Sequence, residues 1–244
     1  MDYSRSTILI TGGSTGIGGA LATRFAKIGS TVIICSRSVE RLREAKERTP
    51  SLHTIQCDVS READRRTLAE RVTLEFPSLN VLINNAGIQN RPVPLSQPQE
   101  WSHYQHELAT NLEAPMHLSF LLTPHLMKSP EAAIMNVTSG LAFSPLSFMA
   151  GYCATKAALR SFTLSLRHQL KDTSVAVVEI VPPKVNTDLG GKGLHDDGAP
   201  LDGFADEVFE KILSGEKEVG FGFSNVARRA SREELDQIFQ KLNP

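Results

Sequence analysis

Ser6-Thr-Ile-Leu-Ile-Thr-Gly-Gly-Ser-Thr-Gly-Ile-Gly18 is the stretch that decides the fold. Residues 6–11 are apolar and β-branched enough to read as a buried strand. A helical pattern follows the glycines to about Lys27 and closes at Gly29. Glycine lets a backbone turn tightly and come close to a pyrophosphate. The helix N-terminus then offers free N–H groups and the positive end of its dipole. Strand, glycine-rich turn and helix, in that order, form the setting in which such a turn holds a dinucleotide. The spacing here is Gly12-x-x-x-Gly16-x-Gly18, not G-x-G-x-x-G, and Ser14 and Thr15 add hydroxyl donors. A tight turn with no ligand is the competing reading.

Outward from this turn the pattern repeats. Thr31 to Cys35 reads as a second buried strand, followed by a charged helix over 38–48. Leu52 to Cys57 is a third strand, and residues 61–76 a polar helix stopped by Pro77. Val81 to Ile83 is a fourth strand that runs into Asn84-Asn-Ala-Gly87. Residues 89–99 are a Pro- and Gln-rich loop, 100–127 one long helix, and 132–137 a fifth strand. A helix over 151–170 and a sixth strand over 175–181 follow, the strand broken by Pro182-Pro183. The tail predicts a helix over 204–213, a last strand over 218–223 and a terminal helix over 232–242. Apolar strands alternating with helices predict a doubly wound parallel α/β sheet of the Rossmann type, as one domain spanning 1–244. The Gly-rich residues 188–203 lack periodicity. They read either as a substrate lid, extending with the next helix to about 213, or as plain linker.

Composition removes several classes. With 22% charged residues and a net charge of -1, nothing favours a nucleic-acid partner. Cys35, Cys57 and Cys153 are far apart and form no C-x-x-C, which suits a reduced cytoplasmic protein without disulfides or a cysteine metal site. The polar start Met1-Asp2-Tyr3-Ser4-Arg5 predicts no signal peptide, and no apolar run reaches the roughly 18 residues of a membrane helix. His103 and His106 share a helix face, but no partner cluster supports a metal.

The end of the second strand is where an adenosine ribose is read. An acidic residue there holds a free 2′-hydroxyl; this chain has Ser36-Arg37, which suits a 2′-phosphate and predicts NADP(H). Asp58, with Val59 after it, ends the third strand and either accepts from an adenine amino group or caps the next helix. Farther on, Tyr152 and Lys156 fall at i and i+4 of a helix, side by side. A cation beside a phenol lowers its pKa, which makes the pair a plausible general acid/base set. A surface Tyr and Lys on an amphipathic helix is the bland alternative. Pro115, which has no N–H, cannot bond the carbonyl of Asn111, so that carbonyl is free and the helix is expected to kink nearby.

Five motifs now stand in order: Thr11-Gly-Gly-Ser-Thr-Gly-Ile-Gly18, Asn84-Asn-Ala-Gly87, Asn111, Ser139 and Tyr152-x-x-x-Lys156. Over residues 6–190 the chain resembles the short-chain dehydrogenase/reductase family. The resemblance implies a ketone or aldehyde reductase, or the reverse reaction, on a small-molecule substrate. Tyr152 would be its general acid or base. Lys156 would lower the tyrosine's pKa and hold the nicotinamide ribose, and Ser139 would bond the substrate oxygen. The Asn111 carbonyl would hold a relay water. Gly12, Ser14, Thr15, Gly16, Ile17 and Gly18 would hold the pyrophosphate side, and Asn84, Ala86 and Gly87 the adenine ribose. Pro182, Val185 and Thr187 would meet the nicotinamide. A homodimer or homotetramer through helices 100–127 and 151–170 is implied as well. The family usually has Pro-Gly where this chain has Pro182-Pro183, which with Pro115 resembles a bacterial DltE-like subgroup. Gln89, Asn90, Arg91, Phe143 and Phe148 are candidates for the substrate pocket, with core packing the alternative for the phenylalanines. An NADP(H)-binding regulator with little turnover, and a non-redox cyclase or isomerase, are the competing functions.

Overall fold

Helices cover both faces of a parallel sheet, which is why every residue of β1 (Thr7–Thr11) and β5 (Ala132–Val137) is buried. The computed structural model describes residues 1–90, 96–97 and 100–244. The remaining strands are β2 (Thr31–Ser36), β3 (His53–Gln56), β4 (Leu79–Asn84), β6 (Val175–Val181) and β7 (Glu218–Gly220). They lie in the order β3-β2-β1-β4-β5-β6-β7, all parallel. The order reverses between β1 and β4, so the crevice where ligands bind in such sheets opens above their C-terminal ends.

One face is covered by α1 (Gly16–Lys27), α2 (Val39–Arg48) and α7 (Leu201–Leu213), through Leu21, Phe25, Leu42, Phe204 and Val208. Phe25 meets Phe209 edge to face at 5.0 Å. The other face is covered by α3 (Glu62–Glu75), α5 (Ala114–Leu126) and α6 (Ala150–Gln169), through Leu68, Val72, Leu118, Leu122 and Leu166. α4 (Trp101–Leu108) leads into α5, and α8 (Phe223–Ala227) and α9 (Arg232–Leu242) complete the chain. Among the described residues no helix is long and apolar enough to cross a membrane.

The expected single helix over 100–127 is in fact α4, a π turn over Ala109–Glu113, and α5. Pro115 is the reason. With no N–H to give Asn111, the chain widens by one residue, and the Ala114 N–H reaches back to Ala109 O. The last strand ends at Gly220 rather than 223, and α8 takes up the residues that follow. Residues 186–198 form a closed loop rather than an open linker. Val185 bridges Ala199, the Asn186 N–H donates to Ala199 O and the Ala199 N–H to Lys184 O, both at 2.9 Å, and Lys184 pairs with Asp197. The residues 91–95 and 98–99 of the expected Pro- and Gln-rich loop, Arg91 included, lie outside the described residues.

One buried charge is built into the β6–β7 edge. Glu179, fully buried on β6, accepts from the Thr138 hydroxyl at 2.8 Å and from Arg160 Nη1 at 2.7 Å. Arg160 also reaches Glu218 on β7 at 2.9 Å and stacks on Phe143, 4.0 Å from its ring centre. Burial raises the Glu179 carboxyl's pKa, with Thr138 and Arg160 working against it. Arg160→Ala strands that carboxylate and is expected to cost roughly 2–3 kcal/mol in urea unfolding; a loss below about 0.5 kcal/mol, the range of ordinary surface changes, would show that the pair is not structural.

Candidate functional site

The ends of β1 and β4 are tied directly together. The N–H groups of Asn85 and Ala86 both donate to the Thr11 hydroxyl at 3.0 Å. The Asn85 side-chain amide donates to the carbonyls of Thr11 at 2.9 Å and Gly12 at 3.2 Å. The glycine spacing follows from this contact. A Cβ on Gly18 would overlap Asn85 Nδ2 and lie 2.6 Å from Gly12 O. One on Gly12, which has φ +64°, would lie 2.9 Å from Ala86 Cα. Asn85 was not singled out in the sequence, although it stands inside the Asn84-Asn-Ala-Gly87 stretch.

Thr15 is the N-cap of α1 but makes no side-chain capping bond, so among the described residues the first-turn N–H groups have no side-chain acceptor. Gly16 faces Thr187, whose Cγ2 would be 3.5 Å from a Cβ there, so the turn after β6 lies against the glycine turn. Val185 is buried beside that turn, and Pro182 O accepts the Gly140 N–H at 2.9 Å, joining it to the segment after Ser139. Ser36 ends β2 and Arg37 follows it. Arg37 Nη1 lies 3.1 Å from His106 Nε2, and because a guanidinium only donates, that nitrogen is the acceptor. Asp58 accepts from the Ser60 N–H at 3.0 Å and its hydroxyl at 2.7 Å, so its side chain holds the turn into α3. Val59 is buried, and its carbonyl accepts from Arg65 at 2.7 Å. The Asn84 amide donates to Asn136 Oδ1 at 2.9 Å and to the Ser119 hydroxyl at 3.2 Å, which commits that side chain to the packing between β5 and α5.

Past the fourth strand, Gly87 lies where a Cβ would be 3.5 Å from Asn111 Oδ1 and 3.7 Å from Lys156 Nζ. Asn111, fully buried in the π turn, pairs reciprocally with Ile88: Oδ1 accepts its N–H and Nδ2 donates to its carbonyl, both at 2.8 Å. Nδ2 also reaches the Thr155 hydroxyl at 3.2 Å. The asparagine therefore fastens the segment after β4 to α6 with its side chain.

Ser139, Tyr152 and Lys156 converge at the C-terminal end of β5. The Ser139 hydroxyl oxygen accepts the Leu141 N–H at 3.1 Å. Lys156 Nζ donates to Val137 O at 2.9 Å and stands 5.7 Å from the centre of the Tyr152 ring. Both groups are buried, and burial decides their titration. It pushes the Tyr152 phenol well above its ordinary pKa, with a hydrogen bond from Ser139 working the other way. It pulls Lys156 down to about 8. The expected lowering of the phenol by the adjacent cation is not found: taking either group's charge out of water dominates, and only the Ser139 hydrogen bond favours the phenolate.

The loop between Ser139 and Tyr152 is held from the far end of the chain. Asn243 Oδ1 accepts the Ser147 N–H at 2.6 Å, and Nδ2 donates to Pro145 O at 3.0 Å. Phe143 lies under Arg160, while Phe148 is exposed. Gln89 lies against Gly190 of the closed loop and against Met149. Cys35, Cys57 and Cys153 are free and buried, and among the described residues no three metal-ligating side chains assemble.

A family model described as short chain dehydrogenase matches residues 6–197. The uncharacterized oxidoreductase DltE of Bacillus subtilis is 48% identical over 248 residues, covering 100% of this chain and 98% of that protein. A short-chain dehydrogenase from Sphingobium yanoikuyae in complex with NADPH has a TM-score of 0.82 at 26% identity, covering 97% and 94% of the two chains. The 3-ketoacyl-(acyl-carrier-protein) reductase from Brucella melitensis, complexed with NADH, has a TM-score of 0.80 at 26% identity, covering 90% and 98%.

The clash at Gly18 can be read by a double-mutant cycle. Gly18→Ala is expected to lower the melting temperature by several degrees, and clearly less so when Asn85→Ala has already removed the obstructing amide. Additive losses would mean that the two residues do not meet.

Proposed function

The chain belongs to the short-chain dehydrogenase family, oxidoreductases that work between CH–OH and C=O, and on that premise we propose an NADP(H)-dependent carbonyl reductase, or the reverse alcohol oxidation, with Tyr152 as general acid or base. The observation that carries the reading is the meeting of Ser139, Tyr152 and Lys156 at the end of β5, with Gly87, which follows β4, beside Asn111 and Lys156.

The site suits a dinucleotide. Bare glycine backbone at Gly12, Gly16 and Gly18, with the N-terminus of α1 behind it, makes a cradle that side chains would fill. Ser14, Thr15 and Ile17 complete the pyrophosphate turn. Asp58 and Val59 border the adenine, and Ala86 and Gly87 the ribose next to it, while Asn84, whose side chain is spent on Asn136 and Ser119, sets the backbone that leads to them. Pro182, Val185 and Thr187 face the nicotinamide end. The cofactor supplies or takes the hydride. Everything else is the protein's work. Burial keeps Tyr152 a neutral phenol, the form that gives a proton to a carbonyl oxygen during reduction. Ser139, whose oxygen accepts from Leu141, has one proton to give, which turns from the Tyr152 oxygen to the substrate oxygen when substrate binds. The Lys156 ammonium stabilises the phenolate left behind.

Solved relatives carry NADPH and NADH alike, so the choice of cofactor rests on Ser36 and Arg37. No carboxylate stands at either position, and the guanidinium suits a 2′-phosphate.

Loss of NADPH absorbance across a panel of aldehydes, ketones, diketones and imines, with NADH in parallel, tests the reading. Conversion without net nicotinamide change would point to an isomerase or cyclase, and binding without any turnover to a regulator. Tyr152→Phe is expected to lower kcat at least about 10²-fold while NADPH affinity stays within a few-fold; a variant that loses NADPH binding as well would remove Tyr152 from the acid/base role. Arg37→Asp is expected to shift the NADPH-to-NADH affinity ratio about ten- to hundredfold toward NADH. An unchanged ratio, measured by cofactor fluorescence, rejects the assignment of Arg37.

A further inference from the structure

Glu107 is a carboxylate with 2% exposure that the reaction above leaves unused. It lies near the end of α4, one turn ahead of Asn111. Its Oε1 accepts the Asn90 N–H at 2.9 Å. Its Oε2 rests on Gly151, where a Cβ would be 3.1 Å away, so the absence of a side chain there lets the carboxylate close on the first turn of α6. Tyr152 is the next residue. Segment 87–90 runs along the same wall, with Gly87 beside Lys156, Ile88 paired to Asn111 and Asn90 to Glu107.

The charged and titratable groups that face Glu107, among the described residues, are His103 on its own helix and Tyr152, Cys153 and Lys156 on α6. Burial disfavours its charge, while the Asn90 N–H, His103 and Lys156 favour it. Burial likewise works against the Lys156 ammonium, and Glu107 is the charge that opposes this.

We propose that Glu107 is the counter-charge that keeps Lys156 an ammonium at the reacting centre, and that it adds to the burial that keeps Tyr152 a neutral phenol. It is a positioning residue, acting through those two groups, and the proposal rests on the roles given to them above. The negative charge raises the pKa of both neighbours. Its removal therefore lets Lys156 and Tyr152 lose their protons at lower pH, and both changes move the alkaline limit of carbonyl reduction in the acid direction.

Glu107→Gln tests this, because the amide oxygen still accepts from Asn90 while the charge is gone. Two readouts are needed: kcat/KM for NADPH-dependent reduction against pH, and titration of Lys156 by 13C NMR in protein carrying labelled lysine, with Lys156→Arg identifying the resonance. Both transitions are expected to fall by about one pH unit. Glu107→Asp, which retains the charge, is expected to keep the wild-type positions. Unmoved transitions in Glu107→Gln, or an equal shift in Glu107→Asp, overturn the proposal. A wild-type protein that reduces nothing would sink the catalytic reading instead, and the NMR titration, which needs no turnover, still decides the counter-charge.

Discussion

The hydrogen bonds between Thr11 and Asn85 are the contact on which the crevice depends. They join two strands that are adjacent in the sheet but more than 70 residues apart in sequence. Because the two loops are drawn this close, Gly12 and Gly18 have no room for a side chain, and the glycine turn is shaped as much by its neighbour as by any ligand. The N-terminus of α1 follows from β1, and Gly87, beside Asn111 and Lys156, follows from the neighbouring β4. A glycine-rich turn in isolation is flexible; the bonds from Asn85 to the Thr11 and Gly12 carbonyls restrain it.

Burial works against ionisation at the reacting centre, and the protein answers it by arrangement. Lys156 is out of water, donates to Val137 O and sits near a second buried charge, Glu107. Tyr152 is held neutral by the same burial. In the proposed reduction, such a site starts with its proton in place and meets the developing negative charge with a cation already positioned, so little reorganisation remains for the reaction itself. The β6–β7 edge repeats the theme at a distance, with Arg160 holding Glu179 below the segment that carries Ser139.

The π turn shows how one residue's missing hydrogen is converted into geometry. Pro115 removes a helical bond, the turn widens, and Asn111 is fully buried there with both ends of its amide engaged by Ile88. Widened turns of this kind are a known way of presenting a residue that a regular helix would not. Here the result anchors the segment after β4 against α6, through Ile88 and Thr155.

Much of this was legible in the sequence. Continuous apolar strands between helices of regular period determined the doubly wound sheet, because a strand buried on both faces has no polar side to show. The glycine spacing, Ser36-Arg37, Ser139 and the i, i+4 pair of Tyr152 and Lys156 are local signals, and the missing N–H of Pro115 is a chemical fact of one residue. Tertiary structure decided what depends on partners far along the chain. Asn85 matters because β1 and β4 are neighbours, Asn243 because α9 folds back on Pro145 and Ser147, and Glu107 because Gly151 lets it approach α6. The titration of Tyr152 and Lys156 was of this second kind too. Adjacency on a helix argued for a lowered phenol pKa, but desolvation is a property of everything packed around the pair, and no short stretch of sequence contains it.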